Sequence, residues 1–133
     1  MSMDMIVTFP GKKRVDAEFN GMTIKTDQSV QSGGDATAPE PYVLFLSSLV
    51  TCAGIYVLGF CQSRNISTDG IRLRQKLIPD STGKIGKIDI DIEVPPDFPE
   101  KYHSALVRAA NACAVKKTIE NPPEFGIQTV VSV

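Results

Sequence analysis

Tryptophan is absent from these 133 residues, and histidine occurs once, at His103. Cysteine occurs only at Cys52, Cys61 and Cys113, with no Cys-x-x-Cys spacing. So few ligands argue against a four-coordinate zinc site, and no metal or resident cofactor is expected. Three cysteines do not make a disulfide framework either. Neither sign of charge dominates: 14 Lys and Arg face 15 Asp and Glu, for a net charge of -1. The only basic cluster is Lys12-Lys13-Arg14, too small for a patch, so no nucleic-acid or membrane-surface partner is expected. The start, Met1-Ser2-Met3-Asp4, is acidic and leads into no signal-peptide pattern. These features lead us to expect a cytoplasmic protein, where a cysteine pair is more often catalytic or metal-binding than structural. Repeats and domain boundaries are also missing, so a single domain over 1–133 is expected. With 42% apolar residues it can bury a core without staples.

Charge is missing altogether from Tyr42 to Cys61, twenty residues long enough to span a bilayer. Ser47, Ser48, Thr51, Gly54 and Gly59 interrupt this run. A membrane span would also strand the flanking sheet segments on opposite sides. A helix buried on all sides in a soluble core accounts for it better. A chain this short has little to cover such a helix, which points to a homodimer with the long helices at its centre.

The elements follow from periodicity. Met5 to Phe9 is an apolar first strand. Val15, Ala17 and Phe19 alternate with polar residues, as do Met22, Ile24 and Thr26, and Asn20-Gly21 between them signals a two-residue hairpin loop. Gln28 to Glu40 is a loop. Pro41 suits the first turn of a helix reaching Arg64 or Asn65. Ile71, Leu73 and Leu77 mark another strand, Asp80 to Gly83 a turn, and Ile88, Ile90, Ile92 and Val94 a strand with one wet face. Asp97 and Glu100 have the spacing of a helix-start capping box. Leu106, Ala109, Ala110 and Cys113 then recur at helical spacing up to Asn121-Pro-Pro123. Ile127 to Val133 is a final strand. The order gives an α+β fold with antiparallel pairing.

The cysteines divide by position. Cys52 lies mid-helix, where no helix N-terminus of its own assists it. A free thiol titrates at about 8.5, so a nucleophilic Cys52 needs a cation from another segment. Cys61 lies nine residues on, about 900° round the helix and ~13.5 Å along it, too far for a disulfide with Cys52 while the helix is intact. Cys113 sits on the apolar face of the second helix, whose largest apolar target is the first helix, so it can reach Cys52. Lys116 and Lys117, a turn later, read as favourable cations at a helix C-terminus. His103, amid charged neighbours, reads as solvent-facing.

Two segments carry a resemblance. Ala38 to Cys52, APEPYVLFLSSLVTC, resembles the central helix of the OsmC/Ohr family, in which a proline precedes the first reactive cysteine by eleven residues; here that proline is Pro41. Ala109 to Ile127, AANACAVKKTIENPPEFGI, resembles the segment holding the family's second cysteine, with its basic pair and proline-rich exit. The resemblance implies an OsmC-like fold of intertwined homodimers, with two long helices between two sheets and active sites at the dimer interface. It implies reduction of organic hydroperoxides or hydrogen peroxide. Cys52 would become a sulfenic acid and Cys113 would condense with it to a disulfide. An external dithiol, lipoyl-like in some members, would reset the pair.

The chain departs from the family's peroxidases in two places. The family glutamate one residue after the proline is replaced by Tyr42, leaving Glu40, before the proline, as the nearest carboxylate. The family arginine from the N-terminal strand region has no gap-free match; Arg14, beside Lys12 and Lys13, is assigned to it. The alternative function is a non-enzymatic redox-sensing or small-ligand-binding dimer.

Overall fold

A computed structural model describes residues 3–132. The chain divides into two compact units, the break falling between Ser47 and Ser48.

The first unit holds an antiparallel sheet of β1 (Ile6–Gly11), β2 (Arg14–Phe19) and β3 (Met22–Thr26), in that order. Phe19 pairs with Met22, leaving Asn20 (φ 48°) and Gly21 (φ 74°) as the two-residue loop. Both occupy the left-handed region that Asn and Gly tolerate, as the sequence predicts. The loop from Asp27 to Glu40 is built around the buried Asp27 carboxylate, which accepts from the N–H groups of Gln28 (2.7 Å) and Thr37 (3.0 Å) and from Thr37 Oγ1 (2.7 Å). Gly34 closes against it: a Cβ there would lie 2.2 Å from the Gln28 carbonyl oxygen.

Helix α1 (Pro41–Ser63) runs across the break between the units. The Glu40 carbonyl accepts from Val43 (3.0 Å) and Leu44 (3.2 Å), so α1 starts at Pro41 as expected. The helix is not buried on all sides. Its buried residues are Leu49, Ala53, Val57 and Cys61, a single stripe at i, i+4 spacing. Ile55 is 58% exposed and Tyr56 38%. A lone chain has too few elements to wrap the other faces.

In the second unit, β4 (Arg72–Pro79) pairs antiparallel with β5 (Ile85–Glu93). The wet face carries ion pairs of Arg74 with Glu93 (2.8 Å) and Lys76 with Asp91 (2.6 Å). The other face sends Leu73 and Ile92 towards a core of Val57, Cys61, Phe98 and Leu106. The Asp97–Glu100 capping box does not form. A 3-10 turn over Glu100–Tyr102 precedes α2 (His103–Asn111). Pro99 explains the delay, because it disfavours helical backbone at Phe98. The second helix is interrupted and resumes as α3 (Ala114–Glu120).

The expected final strand is absent among the described residues: 127–132 have no regular structure, and Val133 lies outside them. A strand needs a ladder partner, and among the described residues β4 and β5 pair only with each other. Ile127 (97%) and Val131 (91%) are left exposed.

Candidate functional site

The interruption between α2 and α3 builds the site. Cys113 is the N-cap of α3, its sulfur accepting from the Lys116 N–H at 3.4 Å. Its thiol donates to the Leu49 carbonyl on α1 at 3.8 Å, one turn before Cys52. Cys113 is buried, and Cys52 on α1 is half-buried. The Cys113 thiol thus sits against the turn of α1 that leads to Cys52.

The Val115 N–H is the main influence holding the Cys52 thiol below its ordinary range; the Cys113 thiol and the Ala114 N–H act in the same direction, while burial opposes them. Both amides belong to the first turn of α3, where N–H groups have no intrahelical acceptor and the helix dipole favours negative charge. The influence on Cys52 thus comes from a different helix. This is the feature that sequence reasoning missed. The run Asn111-Ala112-Cys113 contains no glycine or proline to announce a break, and a cysteine is an unusual cap. The break also relocates Lys116, which lies in the first turn of α3 instead of at a helix C-terminus.

Cys61 is fully buried beside Val57 and Leu106, and burial pushes its thiol up, partly offset by Arg64. A raised, enclosed thiol is a poor nucleophile. An apolar cleft of about 1030 Å³ lies between β5 and α2; Leu49, Ala53, Ile88, Ile90, Leu106 and Cys113 are among its lining residues. His103 is exposed and stacks on Phe98, with ring centroids 5.9 Å apart.

The other two expected site residues lie in the first unit. Arg14 pairs with Asp35 (3.1 Å) and donates from Nε to Thr37 Oγ1 (3.3 Å). Glu40 accepts from the Ser29 N–H at 3.1 Å and so braces its own loop. The carboxylate on Arg14 is thus Asp35, a residue that loop folding supplies and spacing does not reveal. Tyr42 is 56% exposed and stacks on Phe45.

Solved structures share this fold. A protein from Psychrobacter arcticus 273-4, named for an osmotic stress induced and detoxification response, superposes with a TM-score of 0.71 at 21% identity, covering 89% of this chain and 88% of its own. An OsmC-like protein of unknown function from Vibrio cholerae O1 gives 0.63 at 15% identity, covering 90% and 94%. The organic hydroperoxide resistance protein OsmC of Legionella pneumophila gives 0.54 at 16% identity, covering 87% and 88%. At these identities the likeness concerns the fold. No curated protein shows significant sequence similarity. The family described as OsmC-like protein matches residues 33–128, a span that contains α1, Cys52 and Cys113. Helix α1 is long and apolar enough to cross a membrane, yet it lies inside that span and so is an element of the shared fold. With most of its length matched, and both cysteines inside the match, the chain belongs to the OsmC-like family.

Proposed function

We propose that the protein reduces organic hydroperoxides or hydrogen peroxide with Cys52 as the attacking thiol and Cys113 as the resolving thiol. The observation that supports this reading is the Cys113 thiol on the Leu49 carbonyl, one turn before Cys52, with the Cys52 thiol held below its ordinary range. The thiolate attacks one peroxide oxygen and the O–O bond breaks. The sulfur keeps that oxygen as a sulfenic acid, and the departing alkoxide or hydroxide takes a proton. Cys113 then attacks the sulfenic sulfur, forming the Cys52–Cys113 disulfide and releasing water. An external dithiol, lipoyl-type or similar, reduces the disulfide by exchange and is itself oxidised. Arg14, braced by Asp35, is the cation proposed for the reaction, and Glu40 supports the loop that carries Asp35.

The working species in this proposal is a homodimer. Three features support it: the exposed faces of α1, the unpaired edges of the β4–β5 hairpin, and the apolar tail after Gly126. A two-stranded sheet is marginal alone, and a second copy supplies further strands.

A second reading, a non-enzymatic dimer that binds a small apolar ligand or senses oxidants, is favoured by the apolar cleft beside Cys113. Turnover separates the two. A panel of alkyl hydroperoxides and hydrogen peroxide is supplied with dihydrolipoamide or dithiothreitol. Steady consumption that disappears in Cys52→Ser supports the peroxidase. No consumption of any peroxide, with an intact fold, leaves the binding reading.

A further inference from the structure

Arg14 is held along one edge. Its Nη2 pairs with Asp35 Oδ2 at 3.1 Å, and its Nε donates to Thr37 Oγ1 at 3.3 Å. Nε and Nη2 share an edge of the planar guanidinium, so both partners sit on the same side of the fork. They hold it unequally. Asp35 is partly exposed and also takes Lys12 Nζ at 3.2 Å, and exposed ion pairs of this kind contribute little. Thr37 is anchored from behind. Its N–H (3.0 Å) and its hydroxyl (2.7 Å) both donate to Oδ2 of Asp27, which is fully buried. Asp27 is itself fixed by its own N–H, which donates to the Pro39 carbonyl at 3.2 Å. A carboxylate only accepts, so the single hydroxyl proton of Thr37 goes to Asp27 and its lone pairs are left to Arg14. The direction of the chain is thereby set: Arg14 donates to Thr37, and Thr37 donates to Asp27.

We propose that Thr37 is a positioning residue for Arg14: its hydroxyl, committed to the Asp27 carboxylate, fixes Nε and so turns the other edge of the guanidinium, Nη1 with the outer Nη2 proton, to the negative charge of the reaction. The inference rests on Arg14 being the cation of the proposed peroxide reduction. It gives that cation a fixed orientation without a carboxylate at position 42. It also ranks the two contacts: the Thr37 hydroxyl sets the orientation, and the Asp35 ion pair, shared with Lys12, matters less.

The test is steady-state consumption of an alkyl hydroperoxide with dithiothreitol. Wild type is compared with Thr37→Ser, Thr37→Val, Asp35→Asn, Arg14→Lys and the double variant Arg14→Lys with Thr37→Val. Lysine keeps the charge but has no Nε for Thr37 to hold. Thr37→Val is expected to lower kcat/KM by roughly fivefold or more, and Thr37→Ser to restore it to within about twofold of wild type. Asp35→Asn is expected to cost less than Thr37→Val. In the double variant, Thr37→Val is expected to add less than about twofold to the loss from Arg14→Lys, because the contact it removes is already gone. Exchange of the Arg14 Nε proton, followed by NMR, reads the hold without turnover, and is expected to be slower in wild type than in Thr37→Val. If Thr37→Val does not fold, Thr37→Ala takes its place with the same expectations. A Thr37→Val protein as active as wild type, or with the same Nε exchange, would overturn the proposal. So would a larger loss from Asp35→Asn than from Thr37→Val. Losses that multiply in the double variant would overturn it too, since Thr37 would then act through the loop and not through Arg14. A wild type that consumes no peroxide removes the proposed function and this inference with it; each of the other failures leaves peroxide reduction standing.

Discussion

At the scale of single residues, the loop between β3 and α1 is held by one buried carboxylate. Hydrogen bonds from the Thr37 hydroxyl, then the Thr37 and Gln28 N–H groups, draw Asp27 down from 3.8 to about 2. A depressed carboxyl contributes stability that is fully present above its unfolded value and is lost as pH falls through the folded one. Thermal unfolding should therefore lose this contribution as the pH drops from 3.8 towards about 2. Asp27→Asn is expected to unfold at lower temperature than wild type at pH 6, with the difference shrinking at pH 2. A variant whose deficit is the same at both pH values would show that the charge on Asp27 does not matter. Asp27 also illustrates where sequence reading stops. The segment was legible as a loop from its glycines and Pro39, but nothing local shows which acid turns inward. The same limit hides Asp35 as the partner of Arg14 and leaves Glu40 on the Ser29 N–H. These pairings are made by the folded loop, and sequence distance carries no trace of them.

At the scale of elements, what could be read depended on whether the signal was local. The Asn20-Gly21 hairpin and the Pro41 helix start are set by the preferences of one or two residues, and both stand where the sequence places them. The approach of Cys113 to α1 was legible because two apolar helical faces in one small chain must meet, and its thiol reaches the Leu49 carbonyl. The break at Cys113 could not be foreseen, because it depends on a thiol capping a helix while reaching another helix. The final strand was misplaced for the opposite reason: alternating apolar residues state a preference, but a ladder needs a neighbour. The capped helix has a redox consequence. In the proposed Cys52–Cys113 disulfide the Cys113 sulfur would be committed to that bond and its cap on α3 would weaken. Loss of an N-cap costs up to about 1 kcal/mol, so amide protection across α3 is expected to fall roughly fivefold on oxidation. Hydrogen exchange of the Ala114–Glu120 segment in reduced and oxidised protein measures this. Equal or greater protection after oxidation would contradict it.

For the whole molecule, the second unit buries a small core and leaves much apolar surface open, on α1 and in the cleft beside β5. A second copy would cover that surface and give β4, β5 and the C-terminal tail strands to pair with. Sedimentation at micromolar concentration is expected to give twice the mass of the chain. Ile55→Glu, on the open side of α1, is expected to shift the population to monomer or aggregate; a stable, soluble wild-type monomer would remove the dimer from the account. The two thiols are tested most directly by one measurement. The reduced protein is treated with one equivalent of an alkyl hydroperoxide, quenched in acid, and mapped by non-reducing peptide mass spectrometry. A Cys52–Cys113 crosslink is expected, with Cys61 alkylated as a free thiol only after unfolding. A crosslink through Cys61 in the folded protein, or unchanged thiols with the hydroperoxide intact, would contradict it.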